Sequence, residues 1–252
     1  MTTTTAAEPV LQVTGVRKAF GTAAGHATVL DGVDLTVRGG EIVAIAGRSG
    51  SGKTVLLTVV AGWERPDAGT VERPGSGADA AGTGTGTSTD NEPPWRDLGV
   101  VPQSLGLLDE LTVAENIALP RRLDPRRRPE DGPELAERLG IDHLADRFPD
   151  QISLGERQRV ALARAAALSP RLLIADEPIA HQNEAFAQVV LAVIADLAAR
   201  GTGCLLATHD DLAFRAADRV LHLVDGRITS TEGGYETARG RRVGWAGGPS
   251  TT

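Results

Sequence analysis

An α/β fold built on a mainly parallel sheet is what this sequence predicts, and three observations predict it. Four short apolar runs, EIVAIAG (41–47), LGVVPQ (98–103), RLLIADE (171–177) and GCLLATHD (203–210), are too short and too uniformly apolar for surface helices. They read as strands buried on both faces of a sheet. Helical patterns lie between them, and strands alternating with helices make a layered α/β core. The third observation is size: 252 residues, 41% hydrophobic and 23% charged, suffice for one or two domains with a substantial core.

The elements follow in order. VLQVTGVRKAFG and TVLDGVDLTVRGGE alternate and break at glycines, as antiparallel strands and hairpins do, so an N-terminal antiparallel β subdomain is expected. KTVLLTVVAG (53–62) is a helix after the first buried run. PGSGADAAGTGTGTSTDNEPP (74–94), rich in Gly, Thr and Ser, is expected to be a disordered surface loop. Residues 104–152 hold short helical patterns with prolines and arginines but no buried-strand run, and are expected to form a helical subdomain inserted in the core. GERQRVALARAAAL (155–168) is a helix before the third run. After it, Phe186, Val189, Val190, Val193, Ile194 and Leu197 repeat at helical spacing, with Gly201 as the expected C-cap. The tail at 231–252 has no periodicity and reads as flexible, which leaves a single domain over 10–230.

Charge narrows the function. The chain carries 26 basic and 33 acidic side chains, a net charge of −7, which argues against a general nucleic-acid binder. Only two of the basic residues are lysines, Lys18 and Lys53; Lys18 reads as an ordinary surface lysine. The lone Cys204 cannot make an internal disulfide, which points to a reducing compartment. No signal peptide or membrane span is expected: the most apolar stretch, FAQVVLAVIADLAAR, carries Gln188 and Asp196 and falls short of the ~20 residues a span needs.

GRSGSGKT, residues Gly47, Arg48, Ser49, Gly50, Ser51, Gly52, Lys53 and Thr54, matches G-x-x-x-x-G-K-[S/T] between a predicted strand and a predicted helix that continues with Val55. Gly50 and Gly52 allow the backbone to wrap a phosphate with its N–H groups, and the helix N-terminus adds partial positive charge. Lys53 is expected to reach the β- and γ-phosphates and Thr54 to hold Mg²⁺. RLLIADEP ends in two carboxylates: Asp176 is expected to bind Mg²⁺ through water, and Glu177 to accept a proton from the attacking water. The core is thus a P-loop NTPase three-layer core.

With these pieces in this order, the chain resembles an ATP-binding-cassette (ABC) transporter ATP-binding subunit from about residue 10 to 230. Gln103, in VVPQS, resembles the family's Q-loop glutamine, which implies contact with Mg²⁺ and the attacking water. His209, in ATHD, resembles the switch histidine at the γ-phosphate. Phe20, in VRKAFG, sits where the family places an aromatic on adenine, although a lone hairpin aromatic is also often packing. Ser153, Leu154, Gly155 and Glu156, in ISLGERQRVALARA, resemble the signature segment that faces the nucleotide of a second subunit. S-L-G-E is equally a capping box, and the two readings are compatible. The resemblance implies Mg²⁺ with ATP as substrate, a homo- or heterodimer of ATP-binding subunits, a separate transmembrane permease, and residence on the cytoplasmic face of the membrane.

Two positions depart from the family pattern. The family has two glycines after the signature serine, where this chain has Leu154 and Gly155. The stretch after Glu177 usually runs Pro-Thr-Ser/Gly-x-Leu-Asp, where this chain reads Pro178-Ile179-Ala180-His181-Gln182-Asn183, and Asn183 serves equally as an N-cap for the next helix. Both fall on the half-site presented across the dimer, which leaves a weakly hydrolysing regulatory partner as an alternative. LGLLDELTVAENIALP (105–120) resembles the subgroup for lipoprotein release and macrolide-type export. Arg121, Arg122, Arg126, Arg127 and Arg128 form a run that faces solvent, the permease partner or lipid headgroups. A soluble ABC protein without a permease is the third reading, opposed by the lack of tandem cassettes, zinc-type cysteines or a basic surface.

Overall fold

The computed structural model describes residues 8–22, 25–74, 97–123, 132–230, 235–236 and 242–243. The expected loop at 74–94, beyond Pro74, most of the expected tail, and Arg126 to Arg128 lie outside the described residues.

The two alternating N-terminal stretches form long strands, β1 (Pro9–Thr22) and β2 (Gly25–Arg38), paired antiparallel with Val13 opposite Leu35. Strand β4 (Ala68–Glu72) joins the free side of β1, giving the order β2-β1-β4. The second sheet has six strands in the order β5-β6-β7-β3-β8-β9. The four apolar runs are its β3 (Ile42–Ala46), β5 (Leu98–Val101), β6 (Leu172–Asp176) and β7 (Gly203–Ala207). They run parallel to one another and to β8 (Arg219–Val224), while β9 (Arg227–Ser230) returns antiparallel along β8.

Period-2 alternation divides the buried strands between two cores. Val43, Ile45, Ile174 and Leu205 face the antiparallel sheet and helix α1 (Lys53–Ala61), joining Leu11, Leu30, Leu56 and Val60. Ile42, Ala44, Leu173 and Leu206 point the other way, against α4 (Leu154–Ala166) and α5 (Glu184–Ala199). Helices α2 (Val113–Leu123) and α3 (Gly132–Arg138) lie in the 104–152 stretch, with single 3₁₀ turns at Asp142–Leu144 and Pro149–Gln151. The short α6 (Asp211–Ala216) leads from β7 to β8.

Local chemistry sets the ends. Helix α5 ends with Gly201 N–H on Ala198 O and Thr202 N–H on Leu197 O, the paired bonds of a Schellman motif. The cap is Arg200, and Gly201 stands one position beyond at φ +102°, so the expected C-cap shifts by one residue. Strands β8 and β9 were not foreseen, although Asp225-Gly226 between them, at φ +48° and +74°, is a strong hairpin signal. Buried Asn116 on α2 takes the N–H of Leu108 and donates to the carbonyls of Leu108, Leu111 and Thr112, fixing the loop that follows β5.

Candidate nucleotide site

The sheet register brings the predicted residues to one edge. Ile45 pairs with Ala207, Ala207 with Asp176, and Ala175 with Val101, so β3, β7, β6 and β5 end nearly level. Immediately beyond these ends come the loop 47–54, His209, Glu177 and Gln103, the last exposed in the turn after β5. That turn is anchored from below, because Arg164 on α4 donates to the carbonyls of Leu105 and Gly106.

Within the loop, Gly50 lies at φ +80° and Gly52 at φ +99°, where a side chain is strained. Gly52 also has no room: a Cβ there would stand 3.0 Å from the Val29 carbonyl. Val29 is on β2, so the antiparallel sheet forms the back wall of the loop. Lys53 Nζ donates to Gly47 O at 2.7 Å and Arg48 O at 3.4 Å, laying the ammonium across the loop's own carbonyls. Thr54 Oγ1 donates to Asp176 Oδ2 at 2.7 Å, although the two residues are 122 positions apart. Arg48, Ser49 and Gly50 are exposed, and Val55 continues into α1 half-buried.

Asp176 is 5% exposed. Burial pushes its carboxyl above the ordinary range and the charge of Glu177 adds to this, while the Thr54 hydroxyl and Lys53 oppose. The hard oxygens of Thr54 and Asp176 suit Mg²⁺, and the buried Ser51 Oγ, without a hydrogen-bond partner, is a further polar atom in the same loop.

Glu177 stands in the left-handed region at φ +49°, uncommon for a residue with a side chain. Its N–H donates to Ala207 O, and its carbonyl accepts from Ala180 N and from the side chain of Gln158. Glu177 Oε1 lies 2.8 Å from His209 Nδ1, with the carboxylate mostly shielded and the imidazole mostly exposed. A shielded carboxylate beside an exposed imidazole can take a proton from a water and orient a phosphate oxygen.

Ser153 begins α4 with a complete capping box: its N–H and hydroxyl both donate to Glu156 Oε2 at 2.7 Å, and its Oγ accepts from Glu156 N at 3.3 Å. These bonds hold the Glu156 carboxyl below its ordinary range. Leu154, next in line, is 46% exposed. Gly155 is required sterically, since a Cβ would fall 2.6 Å from His181 O. Asn183 caps α5, its Oδ1 accepting from Phe186 N at 3.0 Å.

Phe20 lies on β1 opposite Ala27, exposed at the hairpin arm that leads to Val29. Lys18 corrects the sequence expectation. It is 8% exposed, donates to Arg65 O at 2.8 Å, pairs with Glu64 at 2.6 Å and Asp67 at 3.3 Å, and sits 5.2 Å from the Phe20 ring centroid. Its partners lie in the connection after α1, tens of residues away, and nothing beside Lys18 in the sequence marks them. Sequence reasoning also missed Gln158 and Gln182 as site residues; nothing in their spacing marks them.

Comparisons with known proteins show the family and the fold. The model of the family described as ABC transporter matches residues 30–180. The chain is 38% identical to the lipoprotein-releasing system ATP-binding protein LolD of Shewanella frigidimarina, covering 87% of this chain and 92% of that protein. It is 41% identical to the protein of the same name from a Ruegeria species, over 87% and 97%. Among solved structures it is similar to the dimeric ATP-binding cassette MJ0796 in a post-hydrolysis state bound to ADP and Pi. That likeness has a TM-score of 0.76 at 28% identity and covers 86% of this chain and 96% of that one. This chain belongs to the ABC transporter family, as one of its ATP-binding cassettes.

Proposed function

We propose that this cassette hydrolyses Mg-ATP with Glu177 as proton acceptor and His209 as its partner, and drives a separate membrane permease from the cytoplasmic face. The observation that carries the reading is the convergence of Lys53, Thr54, Asp176, Glu177 and His209 on one sheet edge, with Thr54 bonded to Asp176 and Glu177 to His209. No helix among the described residues is long and apolar enough to cross a membrane. The lipoprotein-releasing relatives favour a permease of that kind.

In this reading the loop 47–54 cradles the phosphates with its N–H groups, and Lys53 leaves its resting carbonyls for the β- and γ-phosphates. Thr54, Asp176 and Gln103 would hold Mg²⁺, which would neutralise phosphate charge there. Phe20 supports the adenine. Glu177 takes the proton of the attacking water, and His209 holds the γ-phosphate side. Ser153 and Gly155 face the nucleotide of a second subunit, homologous or identical. A second reading rests on Leu154: its exposed side chain stands at that face and weakens the trans half-site, which suits a slow homodimer or an asymmetric heterodimer.

The test is Glu177→Gln in the full chain together with its co-purifying membrane protein. ATPase turnover falls by about 10²–10⁴-fold while ATP binding persists. A wild type as slow as the variant would favour the regulatory reading.

A further inference from the structure

We propose that Gln182 is a positioning residue: acting through Gln158, it holds the Glu177 backbone in its left-handed conformation and ties it to the first turn of α4. The proposal rests on the reading of Glu177 as the proton acceptor.

The argument starts from the strain at Glu177. A residue at φ +49° stays there only if its surroundings fix it. Its carbonyl has two partners, Ala180 N at 3.2 Å and Gln158 Nε2 at 2.5 Å. The first is local to the turn. The second comes from α4, and Gln158 is 2% exposed, so its amide needs protein partners at both ends.

Gln182 supplies the other end. Its Nε2 donates to Gln158 Oε1 at 3.0 Å and to Gly155 O at 2.9 Å. Its Oε1 accepts from Arg159 Nη1 at 2.7 Å, and the Arg159 guanidinium lies 3.9 Å from the centroid of the Phe186 ring. Each amide therefore has a fixed orientation. Arg159 requires the Gln182 oxygen, which turns the Gln182 NH₂ toward Gln158 and turns the Gln158 NH₂ toward Glu177. The chain of donors runs one way from α4 to the glutamate and cannot be flipped at one member without breaking its neighbours.

An apolar side chain at 182 would fill the space but leave Gln158 Oε1 and Arg159 Nη1 unmet. Gln158 would then reorient, and Glu177 would lose the partner that opposes its strain. Nucleotide contacts of the loop 47–54 are untouched by this, so the effect falls on turnover.

The experiment is a double-mutant cycle in the full chain with its co-purifying membrane protein, using Gln182→Met, Gln158→Met and the pair, with Glu177→Gln as reference. Melting and binding of a fluorescent ATP analogue establish that each variant is folded and loaded. Each single change lowers kcat about tenfold with KM for ATP within about twofold of wild type, and the double variant is no slower than the slower single. Gln182→Glu, which keeps the acceptor for Arg159 but lacks the two donated hydrogens, falls with Gln182→Met. Unchanged kcat in Gln182→Met, losses that multiply to about a hundredfold in the pair, or full activity in Gln182→Glu would each overturn the relay. If Glu177→Gln itself turns over like wild type, it is the assignment of Glu177 that fails.

Discussion

Replacing Lys18 by methionine removes an ammonium and leaves its apolar stem in place, so it isolates the polar contribution of a buried lysine. The side chain is 10% exposed, and its contacts are the Arg65 carbonyl, the Glu64 and Asp67 carboxylates and the Phe20 ring. Glu64 and Asp67 are 38% and 49% exposed, so water screens much of both ion pairs. The Arg65 carbonyl bond carries the larger share of the loss, as a hydrogen bond from a charged donor. The net cost of Lys18→Met is about 2 kcal/mol, which lowers Tm by about 4–8 °C in a protein of this size. Hydrogen bonding to Glu64, with Asp67 adding, raises the lysine above its ordinary 10.5. That stabilisation is therefore complete below 10.5 and is lost as pH rises through the raised value. Asp67 is held below its ordinary 3.8, first by the Ala19 N–H and then by Lys18, so its share is present above 3.8 and is lost as pH falls through the lowered value. Thermal melts of wild type and variant should differ by a constant gap from about pH 5 to 9.5. A gap under about 1 °C, or one that changes through neutral pH, would refute the reasoning.

Three further outcomes follow from the site. Gly155→Ala should lower Tm although alanine is the better helix former by about 1 kcal/mol, because its methyl meets the His181 carbonyl; a higher Tm in a melt would contradict this. Asp176→Asn should raise Tm at pH 7, since a neutral amide replaces a carboxylate disfavoured by burial, while Mg-dependent ATPase is lost. Leu154→Gly combined with Asn183→Asp, which leaves Gln182 in place, should increase ATPase turnover; unchanged steady-state kinetics would remove the weak half-site from consideration.

What the sequence made legible depended on how locally each feature is encoded. Strands β3, β6 and β7 are buried at every position, and continuous apolar runs announce that burial without any tertiary knowledge. The phosphate loop was legible for a similar reason: its glycines answer to backbone angles within eight residues. Strand β8 is only partly buried and carries His222, which weakened its apolar signal. Lys18 and Gln182 were misread or passed over because their meaning lies in partners on other elements. A buried lysine and a surface lysine have the same neighbours in sequence, and so do a relay glutamine and a loop glutamine. The roles of the site residues rest on family pattern, while their convergence rests on sheet register.

That register also imposes an order on synthesis. Strand β3, which launches the phosphate loop, is flanked by β7 and β8, both made more than 150 residues later. Ile42 N–H waits for Asp218, and the Thr36 carbonyl for Arg219. A ribosome therefore releases the phosphate loop early, but its strand has no neighbour until residue 203 has emerged and only one until 219. Nascent chains stalled before that point should fail to retain nucleotide. In this cassette the capacity to bind is acquired nearly all at once, when β7 and then β8 have been made.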